Sequence, residues 1–415
     1  MELRDSLRRE QGRASSRRVA LYSHDTQGLG HIRRNTLLAA AMVAADPEVD
    51  VLLLSGAREA ASLPLPERTD LVVLPGLTKD ALGGYAARCL DRSLGEVLAI
   101  RAAALESLLA AYEPDLLVVD KVPRGFRGEL EPALRRARLE HGTRTVLGLR
   151  DILDDVSTTR REWQIARTPE AIRTLYDQVW VYADPTVFDP AVEYGWSEAV
   201  RTKVRYTGYL GADRERLLPT TKHSSITPSV SRDNAGPFVL GLIGGGQDGA
   251  AVADAFAHAD FPAGHVGVLV TGPYLPSTHL EHLERLARHR RDLRVHRFVN
   301  DVPALARASR ATVSMGGYNS VCELMTARRP ALVVPRVAPR SEQSIRATHF
   351  ADRGLLDVLF PQHLDPQALS GWLRAAVSRV APPSRSIDLG GLGRVPDLVT
   401  ALLESSVVQG ARDVG

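Results

Sequence analysis

The residues of this chain best suited to chemistry gather where apolar runs give way to glycine-rich turns. The earliest such turn reads Ser23-His24-Asp25-Thr26-Gln27-Gly28-Leu29-Gly30-His31. Gly28 and Gly30 would let the backbone close on an anion where a strand meets its helix. Histidine titrates near neutral pH, so His31, at the helix start, is a candidate general base. Asp25 can orient it or serve in its place. A histidine that only caps or packs locally is an equally good reading of the same residue.

A second turn follows the run Phe238–Ile243: Gly244-Gly245-Gly246-Gln247-Asp248-Gly249, leading into an apolar helix from Ala250. Free N–H groups at a helix start favour an anion, and a diphosphate is the natural occupant. Gly244, Gly246 and Gly249 also satisfy G-x-G-x-x-G, which in a dinucleotide-binding unit needs an acid at the end of the next strand. That strand here ends Val270-Thr271-Gly272-Pro273, and its counterpart in the first half ends Leu54-Ser55-Gly56. The missing acid argues against a nicotinamide enzyme. The missing P-loop lysine argues against an ATPase or kinase.

Two further junctions carry carboxylates. Ser314-Met315-Gly316-Gly317-Tyr318-Asn319-Ser320-Val321-Cys322-Glu323 places Glu323 in the first turns of a helix, where it can accept two ribose hydroxyls. Arg340-Ser341-Glu342-Gln343 opens another helix with side chains suited to the hydroxyls of a sugar ring. Upstream of both, Asn300-Asp301-Val302-Pro303 has the pattern of an N-cap with proline in the first turn.

The elements that must position these turns read as strands alternating with helices. Continuous apolar runs at Val19–Ser23, Val51–Leu54, Leu71–Leu74, Leu116–Val119, Thr145–Leu149 and Val179–Tyr182 predict strands buried on both faces, hence a parallel sheet. The alternation stops in the Ser/Thr/Pro/Asn-rich stretch 218–237, which predicts a linker. It resumes at Phe238–Ile243, Val266–Thr271, Leu293–Val299, Thr312–Met315 and Ala331–Val334. The expected organisation is a disordered basic leader over 1–17, a Rossmann-like domain over 18–217, the linker, a second Rossmann-like domain over 238–394, and a C-terminal helix and tail over 395–415. That helix is expected to cross back to the first domain. Ligands of doubly wound sheets bind beyond the carboxyl ends of the strands, so the site is expected in a cleft between the domains.

Composition narrows the function classes. A chain of 415 residues with 44% hydrophobic content can bury two cores without metal or disulfide staples. Its two cysteines, Cys89 and Cys322, fall far apart and outside any ligand spacing, which fits a reducing cytoplasm. A formal net charge of +3, with arginine dispersed along the chain, does not indicate a nucleic-acid partner. No stretch is long and apolar enough to span a bilayer, so at most peripheral membrane association is expected.

The strings GGGQDGA, RFVNDVPALARASRATVSMGGYNSVCE and PALVVPR…SEQSIRA resemble the donor half of GT-B glycosyltransferases, and most of all the MurG-like group, glycosyltransferase family 28. HDTQGLGHIRR resembles that group's N-terminal glycine loop. The resemblance implies two Rossmann-like doubly wound domains facing across a cleft, and a UDP-sugar donor rather than a bound cofactor. It implies that Gly245, Gly246 and Gln247 hold the diphosphate beside Gly244, that Val299 offers its backbone to the uracil edge, and that Glu323 binds the ribose. Gly316, Gly317, Asn319 and Ser320 share that junction and count with the donor site, and Glu342 and Gln343 would touch the donor sugar. The acceptor would be a small molecule or a lipid-linked one.

Metal-dependent transferases commonly carry an Asp-x-Asp pair, and this sequence has none. Metal-independent transfer with inversion is therefore expected, the leaving diphosphate being stabilised by fixed backbone dipoles. A UDP-sugar 2-epimerase of the same fold, or a non-catalytic nucleotide-sugar sensor, are the alternatives. Other features read first as structure: Arg33-Arg34 as a solvated helix face, with an anionic acceptor as the alternative partner; Asp120 and Asp151 as caps of the loops after their strands, with a role as base the alternative; and the four tryptophans as scattered packing residues. Residues 76–92 read as a mobile segment over the acceptor side.

Overall fold

The structure, a computed structural model, describes residues 16–24, 28–79, 84–217, 236–245, 248–299, 301–379 and 387–412. The predicted leader (but for its last two residues), most of the linker, and Asp25, Gly246 and Gln247 lie outside the described residues. The first half builds β1 (Arg17–Ser23), β2 (Val49–Ser55), β3 (Thr69–Val73), β4 (Leu77–Lys79), β5 (Tyr85–Ala87), β6 (Leu116–Asp120), β7 (Arg144–Arg150), β8 (Gln178–Tyr182) and β9 (Val204–Tyr206). The second half builds β10 (Phe238–Leu242), β11 (Val266–Val270), β12 (Leu293–His296), β13 (Thr312–Ser314), β14 (Ala331–Val333) and β15 (Asp357–Val358).

Two sheets result, ordered β3-β2-β1-β6-β7-β8-β9 and β12-β11-β10-β13-β14-β15. Every pairing within them is parallel. The order reverses between β1 and β6 in the first sheet and between β10 and β13 in the second. The two glycine turns follow β1 and β10, so both lie at these switch points, where doubly wound sheets bind ligands. Strand interiors such as Val19 to Tyr22 and Leu116 to Val119 are fully buried, which is why their sequences are apolar without alternation. The short outer strands β9 and β15 carry no such run, and the sequence pattern does not reveal them.

The segment predicted to be mobile forms an antiparallel pair between β4 and β5. Just beyond it Arg88 holds Glu59, with Nη1 donating to Oε2 at 3.0 Å; residues 80–83 are outside the description. The domains share a core. Tyr318, Val321, Leu324, Ala347 and Phe350 of the second half pack in one cluster with the interior of the first, together with Leu392, Val395, Val399 and Leu402 of the final helix Gly391–Arg412. That helix packs on the helix Gly30–Ala45. Among the described residues no helix is long and apolar enough to cross a membrane.

Candidate active site between the domains

The N-terminal wall of the cleft is built on one buried carboxylate. Asp120, the last residue of β6, is 1% exposed, and Arg34, one turn into the helix Gly30–Ala45, is 2% exposed. Arg34 Nη2 donates to both oxygens of Asp120, at 2.6 and 2.5 Å. The guanidinium carbon lies 5.7 and 5.6 Å from the ring centres of Tyr182 and Tyr318, so the cation is enclosed on its faces as well. Burial works to raise the Asp120 carboxyl, but Arg34 and His31 outweigh it and hold the group well below the usual carboxylate range. His31 Nδ1 lies 3.2 Å from Asp120 Oδ2. Arg34 Nη2 lies 3.0 Å from the same nitrogen. His31 lines the cleft, and it is the tautomer donating from Nδ1 to the carboxylate that leaves Nε2 free to accept a proton there. His24, 5.1 Å from His31 between ring centres, is driven toward its neutral form by burial and by the charges of His31 and Lys121.

Two expectations are corrected here. Arg34 is not on a solvated helix face, and Asp120 does not merely cap a loop: together they position His31. Arg34 follows His31 by three residues, so the two side chains share one helix face.

The opposite wall is the turn after β10. Gly244 has φ +67° and lines the cleft with Gly245. Gly272, after β11, has φ +83°, and a Cβ there would meet the Gly244 carbonyl oxygen at 2.1 Å. The two turns can touch only because residue 272 is glycine. Beside them opens a pocket lined by Leu242, Val270, Phe298, Val299, Ser320 and Glu323. Apolar walls with one carboxylate suit a flat base and its ribose. Glu323 is nearly buried, and Arg214 Nη1 pairs with its Oε1 at 3.3 Å.

The far end of the cleft is charged. Glu342 opens the helix Glu342–Ala351 and is 2% exposed. Its Oε1 accepts from Arg336 Nη2 at 2.7 Å and lies 3.7 Å from Arg150, while Oε2 is buried without a partner. Burial raises its carboxyl, but Arg150, Arg336 and Arg346 prevail and lower it. Gln343 lines the cleft and accepts from the Arg336 backbone N–H at 3.1 Å.

The domains are locked by buried polar pairs. Arg346 and Asp151 are both 0% exposed, joined at 2.6 and 2.7 Å. Asp151 thus does not cap its loop, as the sequence suggested; it is the partner of a cation from the other domain. Tyr318 Oη donates to the Tyr182 carbonyl at 2.7 Å and accepts from Leu210 N at 3.2 Å. Asp154 accepts from Ser341 N and Oγ at 2.9 and 2.8 Å and from Arg340 at 2.9 Å.

Of the predicted site residues, Gly28, Gly30, His31, Gly244, Gly245, Gly317, Asn319, Ser320 and Gln343 line one continuous cleft, with Val299 and Glu323 in the adjoining pocket. Asn319 turns its amide across the cleft, donating to the Gly30 carbonyl at 3.0 Å, so it ties the two turns together. Gly316 lines neither space; its carbonyl accepts from Arg346 at 2.9 Å and its α-carbon faces Gln343. Glu342 is engaged by arginines instead of facing the cleft. Arg150 and Arg336 also line the cleft; they were not anticipated, and no motif marks them. Trp163 and Trp196 are packing residues, as expected, and stack with ring centroids 4.9 Å apart. Among the described residues no group of three or more His, Cys, Asp or Glu side chains is gathered as metal ligands.

No protein-family profile matches this sequence. No curated protein matches it in sequence either. Solved structures do match in three dimensions, and they define the class: two parallel-sheet α/β domains facing one cleft, the GT-B fold. The calicheamicin glycosyltransferase CalG4 superposes with a TM-score of 0.57 at 17% identity, over 94% of this chain and 98% of that one. MurG of Acinetobacter baumannii superposes at 0.55 with 14% identity, over 93% and 99%. A structure from Listeria monocytogenes assigned as a UDP-N-acetylglucosamine 2-epimerase superposes at 0.57 with 12% identity, over 95% and 97%.

Proposed function

We propose that this chain is a glycosyltransferase that moves a hexosyl or N-acetylhexosaminyl group from a UDP-sugar to an acceptor hydroxyl or amine. The observation that supports it is the meeting of two unlike walls in one cleft. The glycine turn and Glu323 pocket offer a place for a nucleoside diphosphate, and His31, backed by Asp120, faces them from the other domain. In this reading His31 Nε2 takes the proton of the acceptor as its oxygen or nitrogen attacks the anomeric carbon. The bond to the diphosphate breaks on the opposite face, so configuration inverts. Backbone N–H groups of the turn receive the charge that develops on the leaving UDP. Because those amides are fixed before reaction, no metal is required in this scheme. The acceptor is a small molecule or a lipid-linked one, and the motifs resemble those of the MurG-like group.

A structure assigned as an epimerase has the same fold, and the carboxylates separate the two readings. Acid–base work at a sugar carbon needs side chains free to exchange protons. Asp120, Asp151, Asp154 and Glu342 are each bound by an arginine, which favours transfer. The test is a thermal-shift panel of UDP- and TDP-sugars on wild type and Glu323→Gln, since a ligand that binds only the folded state raises its melting temperature. A shift with UDP-sugars that fades in the variant is expected. No shift with any nucleotide-sugar would remove the donor site, and release of a 2-epimer without acceptor would replace transfer by epimerisation.

A further inference from the structure

The nucleotide pocket and the cleft adjoin, and the residues that line both mark the passage between them. They are Arg33 of the helix Gly30–Ala45, and Gly244, Gly245, Tyr274 and Ser320 of the second domain. The pocket is the place proposed for base and ribose, and the cleft is the place for the sugar. The group that joins ribose to sugar is the diphosphate, so it falls in this passage. Arg33 is the charged member of the rim, and it comes from the domain opposite the glycine turn.

Its charge is also the one left over. Of the other arginines that line the two spaces, Arg34 is bound to Asp120, Arg336 to Asp248 and Glu342, and Arg150 approaches Glu342 at 3.7 Å. Glu323 is taken by Arg214. The half-buried Arg33 side chain has neither hydrogen bond nor ion pair among the described residues. A guanidinium in that state gains most from an anion whose oxygens it can meet in pairs, as a phosphate allows. The helix start that carries it is tied to the second domain, since Asn319 donates to the Gly30 carbonyl at 3.0 Å. The side chain therefore springs from a fixed point beside the glycine turn.

We infer that Arg33 binds the diphosphate of the nucleotide-sugar from the wall opposite the glycine turn, so that the leaving group is held between the two domains. The inference rests on the transfer reading above. As the anomeric C–O bond breaks, its electron pair stays on the β-phosphate oxygen and the diphosphate becomes more negative. The guanidinium meets that charge from one side and the backbone N–H groups of the turn from the other.

Titration calorimetry of the full chain with UDP tests the contact. Arg33→Gln is expected to weaken UDP binding by about ten-fold or more, the loss of a charge-assisted contact, while its melting temperature without ligand stays as in wild type. Arg33→Lys keeps the charge without the planar fork, so its affinity should fall between the two. Raising NaCl from about 50 to about 500 mM should weaken UDP binding by wild type more than by Arg33→Gln, because salt screens a charge that the variant lacks. Equal UDP affinity in wild type and Arg33→Gln overturns the contact and leaves transfer standing. An equal loss in both variants, with the salt dependence of wild type, would assign Arg33 to the shape of the wall and also overturns it. A wild type that does not bind UDP overturns the transfer reading, and the contact with it.

Discussion

His31 and Asp120 stand 89 residues apart in sequence, yet the Nδ1 of one lies 3.2 Å from the Oδ2 of the other. The contact exists because β6 lies beside β1 in the first sheet, so the strand ending in Asp120 finishes next to the turn that starts the helix of His31. Arg34 completes the arrangement by keeping the carboxylate ionised. A base oriented by a buried anion, facing a diphosphate cradle, is the geometry on which the functional reading depends.

His31→Ala is accordingly expected to lower kcat by about 10²–10⁴, the usual contribution of a positioned base. UDP affinity should stay within about three-fold, because the nucleotide pocket is on the other wall. Steady-state turnover and UDP calorimetry check both. A loss under about ten-fold in kcat would remove His31 from the chemistry.

Asp120→Asn tests the anion beneath it. The folded-state carboxyl lies below its unfolded value, so the stability it contributes is complete above about pH 4 and is lost as pH falls further. The variant should be less stable at pH 7, since Arg34 keeps a buried charge without its partner. Its stability should also fall less steeply than wild type below about pH 4, where the wild type is losing what the variant never had. Urea midpoints at pH 7, 4 and 3 read out both effects.

The Arg346–Asp151 pair should behave as a buried salt bridge between domains. Arg346→Met alone leaves Asp151 charged and enclosed, and costs about 3–5 kcal/mol. The double change Arg346→Met with Asp151→Leu should recover most of that loss, because no charge remains to be desolvated. Chemical denaturation of the two single variants and the double variant is the check. A double variant as weak as the singles would mean that the pair holds the domains by shape, not by charge.

Gly272→Ala inserts a Cβ at 2.1 Å from the Gly244 carbonyl oxygen. The glycine turn must move, so UDP affinity should fall by about ten-fold or more, an amount equal to losing one good hydrogen bond to a charged group. The N-terminal wall is remote from this change, and a His31→Ala background should show the same loss. Calorimetry with UDP measures it. Unchanged affinity would mean that the turn does not carry the diphosphate.

Much of this architecture was legible in the residues. Short unbroken apolar runs bounded by turn residues read as strands covered on both faces, and their alternation with helical stretches points to a parallel sheet; the run at Leu71–Leu74 instead forms the half-exposed edge strand β3. Glycine at 244 and 245 likewise marked a strand–helix turn able to hold an anion; that Gly272 presses against it at a distance no Cβ would allow is seen only in the folded chain. What the linear pattern could not carry was pairing between distant residues. Arg34 read as a surface residue until the sheet order brought Asp120 beneath it. Asp151 read as a loop cap until Arg346 arrived from a helix 195 residues later. Periodicity reports whether a side chain faces a core, a property of each strand by itself. Which charge neutralises which, and which is left over, depends on strand order and domain packing, and those are set by the tertiary structure.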